Sequence, residues 1–478
     1  MSDLKSQFDR RFALKALAAS ATVLGAGVGA VAPLHAADKA ASPAAGTGPD
    51  VIIIGGGMAG VTAARELRQR GKRCVILEAR NRLGGRTFST EVFGERGDVG
   101  GQWMHWIQPH VWAEVTRYGL PIVETPGAVP ASVGVIIDGK LKQFTPEETL
   151  PLLTDGMKSL FPEVDTLFPR PFDPYFNPDF LKLDNLSLAD RMQQTQLAPL
   201  MRAMLEAYWT TAINGSIESG GLLDVMHWFA RANGDGALLL RACSQFKLKD
   251  GTTALLDKIA TDAQADIRLN AIVTRVEQTE GKVTVTTEDG EKLVAPTCIV
   301  AMPMNCWNDI EWLPGLLPGK TAASKQRHAG SGFELHVKLK DKQAAYLGMA
   351  PASDPINLLY TDKIGDADTV LVAMGNSAAK FDVNDDEKIA KELQRLVPGA
   401  KLLESYAYDW NSDPFSKGTW CTYKPGTWSN YGADMRKIEN RLVFAGSDVA
   451  NGWRGFIDGA IETGLRASRE VLSVLAKG

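Results

Sequence analysis

The sequence predicts an α/β fold, and three features of one stretch predict it. Val51–Ile54 is a short, wholly apolar run, the pattern of a parallel strand buried on both faces. Gly55, Gly57 and Gly60 follow at G-x-G-x-x-G spacing in "GGGMAG". A helical pattern over 58–70, stopped by Gly71, then leads to a second apolar run, Cys74–Leu77, which ends on Glu78. Strand, glycine turn, helix, strand and terminal acid make a Rossmann-like dinucleotide-binding unit.

Each part has a physical task. Gly55 permits the tight turn, Gly57 lets the backbone approach a pyrophosphate, and Gly60 lets helix and strand pack closely. Met58 and Ala59 begin the helix, whose free N–H groups and positive dipole end suit phosphates. Glu78 stands 18 residues past Gly60, close to the spacing of about 20 for a ribose-binding acid. A glycine turn without a ligand would not require that acid. Directly after it, "ARNRLGGRT" adds Ala79, Arg80 and a second glycine turn with a cation, Gly84, Gly85 and Arg86. "GDVGGQWMHW" then brings Gly100, Gly101, Gln102 and Trp103. A second phosphate loop so near the first favours FAD over NAD.

Residues 1–37 read as a segment outside this fold. Arg10 and Arg11, then Phe12, Leu14 and Lys15, precede a weakly apolar Ala/Val/Leu/Gly run, and Ala36 and Ala37 suit cleavage. This is the pattern of a twin-arginine export signal, so the expected location is the periplasm. An uncut membrane anchor would be more hydrophobic, and no stable anchor is expected. Residues 38–49 form a small-residue linker. The 478-residue chain is 45% hydrophobic and 23% charged, ordinary for a globular enzyme of two or three domains. A net charge of -4 advertises no polyanion-binding surface, so no nucleic-acid partner is expected. The five cysteines (Cys74, Cys243, Cys298, Cys306 and Cys421) are odd in number and lack metal-ligand spacing, so neither a metal site nor a disulfide framework is expected. Cys74 and Cys298 lie in apolar strand-like runs and read as buried structural thiols.

Further stretches carry a resemblance. "EARNRLGGRT", "GDVGGQW", "NAIVTRVE", "IVAMPMNCWNDIEW" and "RLVFAGSDVANGWRGFIDGAIETGLRAS" follow GGGMAG in this order and span almost the whole chain beyond the leader. With them the chain resembles the flavin-dependent amine oxidase family, which includes monoamine and polyamine oxidases. "HWIQPHVWAEVTRYGL" and "AYDWNSDPFSKGTW" resemble its bacterial periplasmic nicotine and pseudooxynicotine oxidoreductases. The resemblance implies a GR2-type architecture. A Rossmann-like FAD-binding domain from 50–125, 240–312 and 412–478 is interleaved with an α+β substrate-binding domain from 126–239 and 313–411. It implies that Val273 approaches the adenine through its backbone and that Gly446 and Asp448 of "FAGSD" lie along the flavin chain. It implies that Ile457 opens a helix whose N-terminal dipole faces the flavin ring. The reaction it implies is hydride transfer from an amine to flavin N5, leaving an imine or iminium that water hydrolyses.

The same resemblance gives a role to "DPFSKGTWCTYKPGTW". The family's paired aromatic cage implies Trp420 as one wall and Phe456 of "GWRGFIDGA" as the other, catalytic in the sense of holding the amine. Ordinary core packing is the alternative for Trp420, and a staple contact at the helix start the alternative for Phe456. Covalent members tether flavin through a cysteine that falls at Thr419. Cys421 lies two residues further, about 6.6 Å along an extended strand, so FAD is expected to be held non-covalently. The family lysine that holds a water at flavin N5 and assists reaction with oxygen falls at Glu334 in "SGFELHVKLK", with Lys338 out of register. Alternation alone puts Glu334, His336, Lys338 and Lys340 on the polar side of a strand. Neither reading places a lysine at N5, and an acceptor other than oxygen, a c-type cytochrome, is expected.

Trp103, Trp106, Trp209 and Tyr360 belong either to the pocket or to the core, while His105, His110 and His227 are expected to be structural. The partners admitted are a small amine, a cytochrome and a second copy of the chain. Two other readings stay open. One is an L-amino-acid or other primary-amine or polyamine oxidase, with Arg454 as the candidate cation for a substrate carboxylate. The other is a flavin-binding partner protein without turnover.

Overall fold

The computed structural model describes residues 48–477, so the expected export signal and most of the expected linker lie outside the described residues. Five parallel strands form the central sheet, in the order Leu442–Phe444, Thr297–Val300, Val51–Ile54, Cys74–Leu77, Asp266–Arg268. The first apolar run is its middle strand, and alternate side chains serve two cores. Val51 and Ile53 face one apolar cluster, and Ile52 and Ile54 face the other. The strand ends on Gly55 at φ +108°, where a Cβ would lie 2.7 Å from Ala301 O, so only glycine makes this turn. Helix Met58–Arg68 follows and ends ahead of Gly71 at φ +71°. It packs against helices Thr252–Ala263 and Ile457–Leu475. Strands from well-separated parts of the chain therefore share one sheet, and that brings the glycine turns to the C-terminal helix.

Two further large sheets, with two two-stranded ones, accompany it among the described residues. Val273–Thr279 lies in a four-stranded sheet, antiparallel to Lys282–Thr287 and parallel to Glu311–Leu313. The largest sheet has seven strands, in the order Lys401–Ala407, Phe333–Lys340, Asp368–Gly375, Leu358–Ile364, Tyr346–Met349, Ser132–Ile137, Lys140–Phe144. Phe333–Lys340 sits inside it, paired on both sides, with Leu335, Val337 and Leu339 in an apolar cluster with Ile389 and Leu393. The opposite side corrects a sequence expectation. Glu334 and His336 alternate as expected, but both are buried. Helix Pro199–Ile213 packs over neighbouring strands of the same sheet, so this polar face looks into the protein rather than into water.

Candidate active site

The glycine turns are stitched together by backbone. The Gly56 N–H donates to Glu78 Oε2 at 2.7 Å, and the Arg80 N–H donates to Oε1 at 3.0 Å. The Gly84 N–H donates to Gly56 O at 3.0 Å, and Gly57 pairs with Gly84 as a parallel bridge. The second glycine turn is thereby held against the first. Gly57 provides no side-chain cap, so the first-turn N–H groups of helix Met58–Arg68 are available to an anion. Phe456 likewise leaves helix Ile457–Leu475 without a side-chain cap.

Arg86 ties this cradle to the C-terminal segment. Its Nη1 donates to Thr419 O at 3.0 Å, and its Nη2 donates to Asp448 Oδ1 at 2.5 Å and to Ser447 Oγ at 3.1 Å. The Met304 N–H donates to Asp448 Oδ2 at 2.9 Å. Burial works against charge on Asp448, but the Arg86 guanidinium outweighs it and holds the carboxyl below the usual carboxylate range. Arg80 is held in the same manner, donating from Nη2 to Asp413 Oδ1 at 2.7 Å and to Ser416 Oγ at 2.8 Å.

One cavity of about 870 Å³ runs from this cradle to the aromatic residues. Of the residues singled out in the sequence, Gly55, Gly57, Met58, Ala59, Glu78, Ala79, Arg80, Gly84, Gly85, Arg86, Gly100, Gly101, Gln102, Trp103, Val273, Gly446 and Ile457 line it, as do Glu334, Trp420 and Phe456. Gly60 and Asp448 do not. Gly60 packs behind the turn, where a Cβ would lie 2.1 Å from Gly55 O. Asp448 stands behind Arg86, its oxygens already taken.

These residues fit an FAD. Glu78 and Val273 would hold the adenosine end, and the two glycine turns with Arg86 the pyrophosphate. Gly101, Gly446 and the start of helix Ile457–Leu475 would hold the ring end. Thr419 also lines the cavity, with a buried Oγ1 that takes no protein partner. Cys421 is fully buried off the cavity, 3.9 Å from Met304 Sδ, and burial pushes its thiol well above the ordinary range.

The far end of the cavity is aromatic. Trp420 Nε1 donates to Ala212 O at 2.7 Å, which fixes the indole. The Phe456 ring meets Trp228 edge-on at 5.3 Å and Trp453 at 5.1 Å. Among the described residues no ring contact joins Trp420 and Phe456, and both border the same space. Trp103 and Tyr360 touch at 5.5 Å on another part of the wall, with Trp103 Nε1 buried and unpartnered. Glu334 lies beside them. Gln102 Nε2 donates to its Oε1 at 2.9 Å, and His336 Nε2 is 3.3 Å away. Burial raises the Glu334 carboxyl above its usual range, although the nearby His336 ring opposes this.

Other candidates fall elsewhere. Trp209 is fully buried against Phe161 and belongs to the core; Trp106 is 49% exposed, tilted against His105 outside the cavity. None of the described histidines lines the cavity. His110 Nδ1 meets Asp458 Oδ2 at 3.1 Å, and His227 Nε2 meets Pro171 O at 2.6 Å. Arg454 is 1% exposed, bonded to Asp224 and off the cavity wall.

Sequence reasoning missed Tyr208, Trp228, Cys243 and Arg241, which all line the cavity. Trp228 lies on helix Leu222–Arg231, which is buried on every face, so no periodicity marked its cavity side. Among the described residues no helix is long and apolar enough to cross a membrane, and no group of three or more His, Cys, Asp or Glu could hold a metal ion.

The chain matches the family described as flavin containing amine oxidoreductase over residues 58–472. It is 38% identical to a pseudooxynicotine dehydrogenase of a Pseudomonas species, over 89% of this chain and 86% of that protein. It is 34% identical to a nicotine dehydrogenase of Pseudomonas putida, over 100% of both chains. A solved putrescine oxidase variant has the same fold, with a TM-score of 0.78 at 24% identity, covering 89% of this chain and 99% of that one. So has cyclohexylamine oxidase from Brevibacterium oxydans, with a TM-score of 0.76 at 20% identity, covering 90% of this chain and 100% of that one. With the family matched across most of its length and two relatives above 30% identity, the chain belongs to the flavin-containing amine oxidoreductases.

Proposed function

We propose that this enzyme is a dehydrogenase of a small secondary or tertiary amine of the nicotine or pseudooxynicotine kind, exported to the periplasm by its twin-arginine leader. The observation that carries the reading is the aromatic end of the cavity, where Trp420, Phe456, Trp103 and Tyr360 border one space beside Glu334. The two relatives above 30% identity are dehydrogenases of this substrate class. FAD is held without a covalent bond: Thr419 offers no thiol, and Cys421 is buried off the cavity. Residues 50–125, 240–312 and 412–478 are assigned to FAD binding, and 126–239 and 313–411 to the substrate.

A bound flavin supplies a two-electron acceptor for the hydride that leaves the amine's α-carbon. The protein's part is placement and exclusion. Apolar rings expel water and disfavour the ammonium form, so the neutral amine occupies the site. Trp420 and Phe456 present π-faces that hold the amine and stabilise cationic character as the iminium forms. Having lost two electrons and one hydrogen, the product hydrolyses in water outside. Glu334 places a buried carboxyl, held by Gln102, where the family's lysine is expected. With no ammonium there to assist oxygen, a protein of the c-type cytochrome class would serve as the acceptor.

One observation favours a second reading. Arg241 is an exposed cation on the cavity wall with no acidic partner among the described residues, and it suits a substrate carboxylate. Anaerobic mixing with nicotine, pseudooxynicotine, putrescine and L-amino acids separates the readings, because bleaching of the flavin absorbance reports turnover. The pyridine amines should bleach it fastest. Bleaching by amino acids alone supports Arg241, and bleaching by none, with dithionite still effective, leaves a binding protein. Reoxidation in air as fast as with cytochrome c would sink the acceptor assignment.

A further inference from the structure

Asp224 is 1% exposed, sits in the first turn of helix Leu222–Arg231 and does not line the cavity. Its two oxygens engage the two segments that carry the aromatic walls. Oδ2 accepts the Tyr423 N–H at 2.7 Å, three residues past Trp420. Oδ1 accepts from Arg454 Nη1, two residues before Phe456. Arg454 is fixed in turn, with its guanidinium 3.8 Å from the Tyr423 ring and 4.1 Å from the Trp428 ring. The Tyr423 hydroxyl donates to Asp448 O at 2.6 Å, which ties the first segment to the second again. The same helix carries Trp228, which meets the Phe456 ring edge-on. One buried helix therefore touches Phe456 directly and bonds to both segments that carry the walls.

Stability alone does not account for a charged pair in this place. Two ions taken out of water lose hydration that their attraction only roughly offsets, and apolar residues of equal volume often do as well. What the pair adds is direction. A carboxylate fixes an N–H of one segment and a guanidinium of the other at hydrogen-bond length, which apolar packing does not. A gap that must hold an amine over a reacting ring is sensitive to shifts of about 1 Å. We propose that Asp224 is a positioning residue that sets the gap between Trp420 and Phe456 by holding Tyr423 and Arg454 at once. The proposal rests on the reading of those two rings as substrate walls.

Asp224→Glu keeps the charge and moves the carboxylate by one methylene. In the flavin-loaded, full-length protein, its rate of anaerobic flavin reduction by an amine should fall by roughly ten- to a hundredfold. Reoxidation of the dithionite-reduced protein by phenazine methosulfate, which needs no amine gap, should stay within about twofold of wild type. In a Phe456→Leu background the same change should cost less than about threefold, because the wall it positions is already gone. Full additivity of the two changes, or a wild-type reduction rate in Asp224→Glu, overturns the proposal. If Asp224→Glu fails to load flavin, Arg454→Lys keeps the charge without the planar fork and carries the same expectations. An amine panel that leaves the wild type unreduced sinks the functional reading and this inference with it. Equal rates in wild type and variant sink this inference alone.

Discussion

A methyl group added at Gly57 and one added at Gly60 should fail in different ways. At Gly60 the new Cβ would stand 2.1 Å from Gly55 O and 3.3 Å from Ile53 Cγ2. Both neighbours belong to the middle strand and its turn, so neither can swing aside, and the overlap costs about 1–3 kcal/mol. Gly60→Ala should lower the melting temperature of the apoprotein by about 1–3 °C, at about 1 °C per kcal/mol for a chain of this size. At Gly57 φ is -80°, which any residue adopts, and the nearest atom to a Cβ is Gly84 O at 3.8 Å. The apoprotein should accept this methyl with no measurable change in melting. What the methyl occupies is the backbone's approach to the pyrophosphate. Losing one or two N–H bonds to phosphate, at about 1.5 kcal/mol each, weakens FAD by roughly ten- to a hundredfold in Kd. Calorimetry of the apoprotein and titration of flavin fluorescence separate the two effects. Wild-type FAD affinity in Gly57→Ala would refute the assignment of phosphates to this turn. An apoprotein as destabilised as Gly60→Ala would refute the steric account.

Two more predictions concern His328 and Cys421. His328 is 4% exposed, its Nδ1 accepts the Gly330 N–H at 3.2 Å, and burial pushes the ring down to about 3. The unfolded chain, with a histidine pKa of about 6.5, binds that proton first. Stability should therefore fall as pH drops through 6.5 towards 3, by about 2 kcal/mol at pH 5. His328→Gln should flatten the melting profile between pH 7 and 5, and parallel profiles would refute the assignment. Acid precipitation should release yellow flavin into the supernatant from both the wild type and Cys421→Ala. Colour retained in the wild-type pellet but lost from the variant pellet would make Cys421 a tether.

The dinucleotide unit was legible because its information is local. Strand, glycine turn, helix and terminal acid lie within residues 51–78, and the backbone bonds that join them are set by the same short spacings. The aromatic end was legible only in part, because its walls are assembled from distant segments. A tryptophan run gives no sign of its destination: Trp103 reached the cavity, Trp209 the core and Trp106 the surface. Asp224 reads as a lone acid in an apolar helix, and its partner Arg454 lies 230 residues further on.

Glu334 shows the limit most clearly. Eight residues of alternating pattern establish that Glu334 and His336 share a face, since successive side chains in a strand point to opposite sides. They do not establish what that face meets. Helix Pro199–Ile213, more than a hundred residues earlier, packs over neighbouring strands of this sheet, and Glu334 becomes part of the cavity wall. That packing removes water from around the carboxyl, and burial is the cause that raises it above its usual range. The chemistry available at Glu334 therefore depends on where the helix packs, which alternation within the strand does not encode.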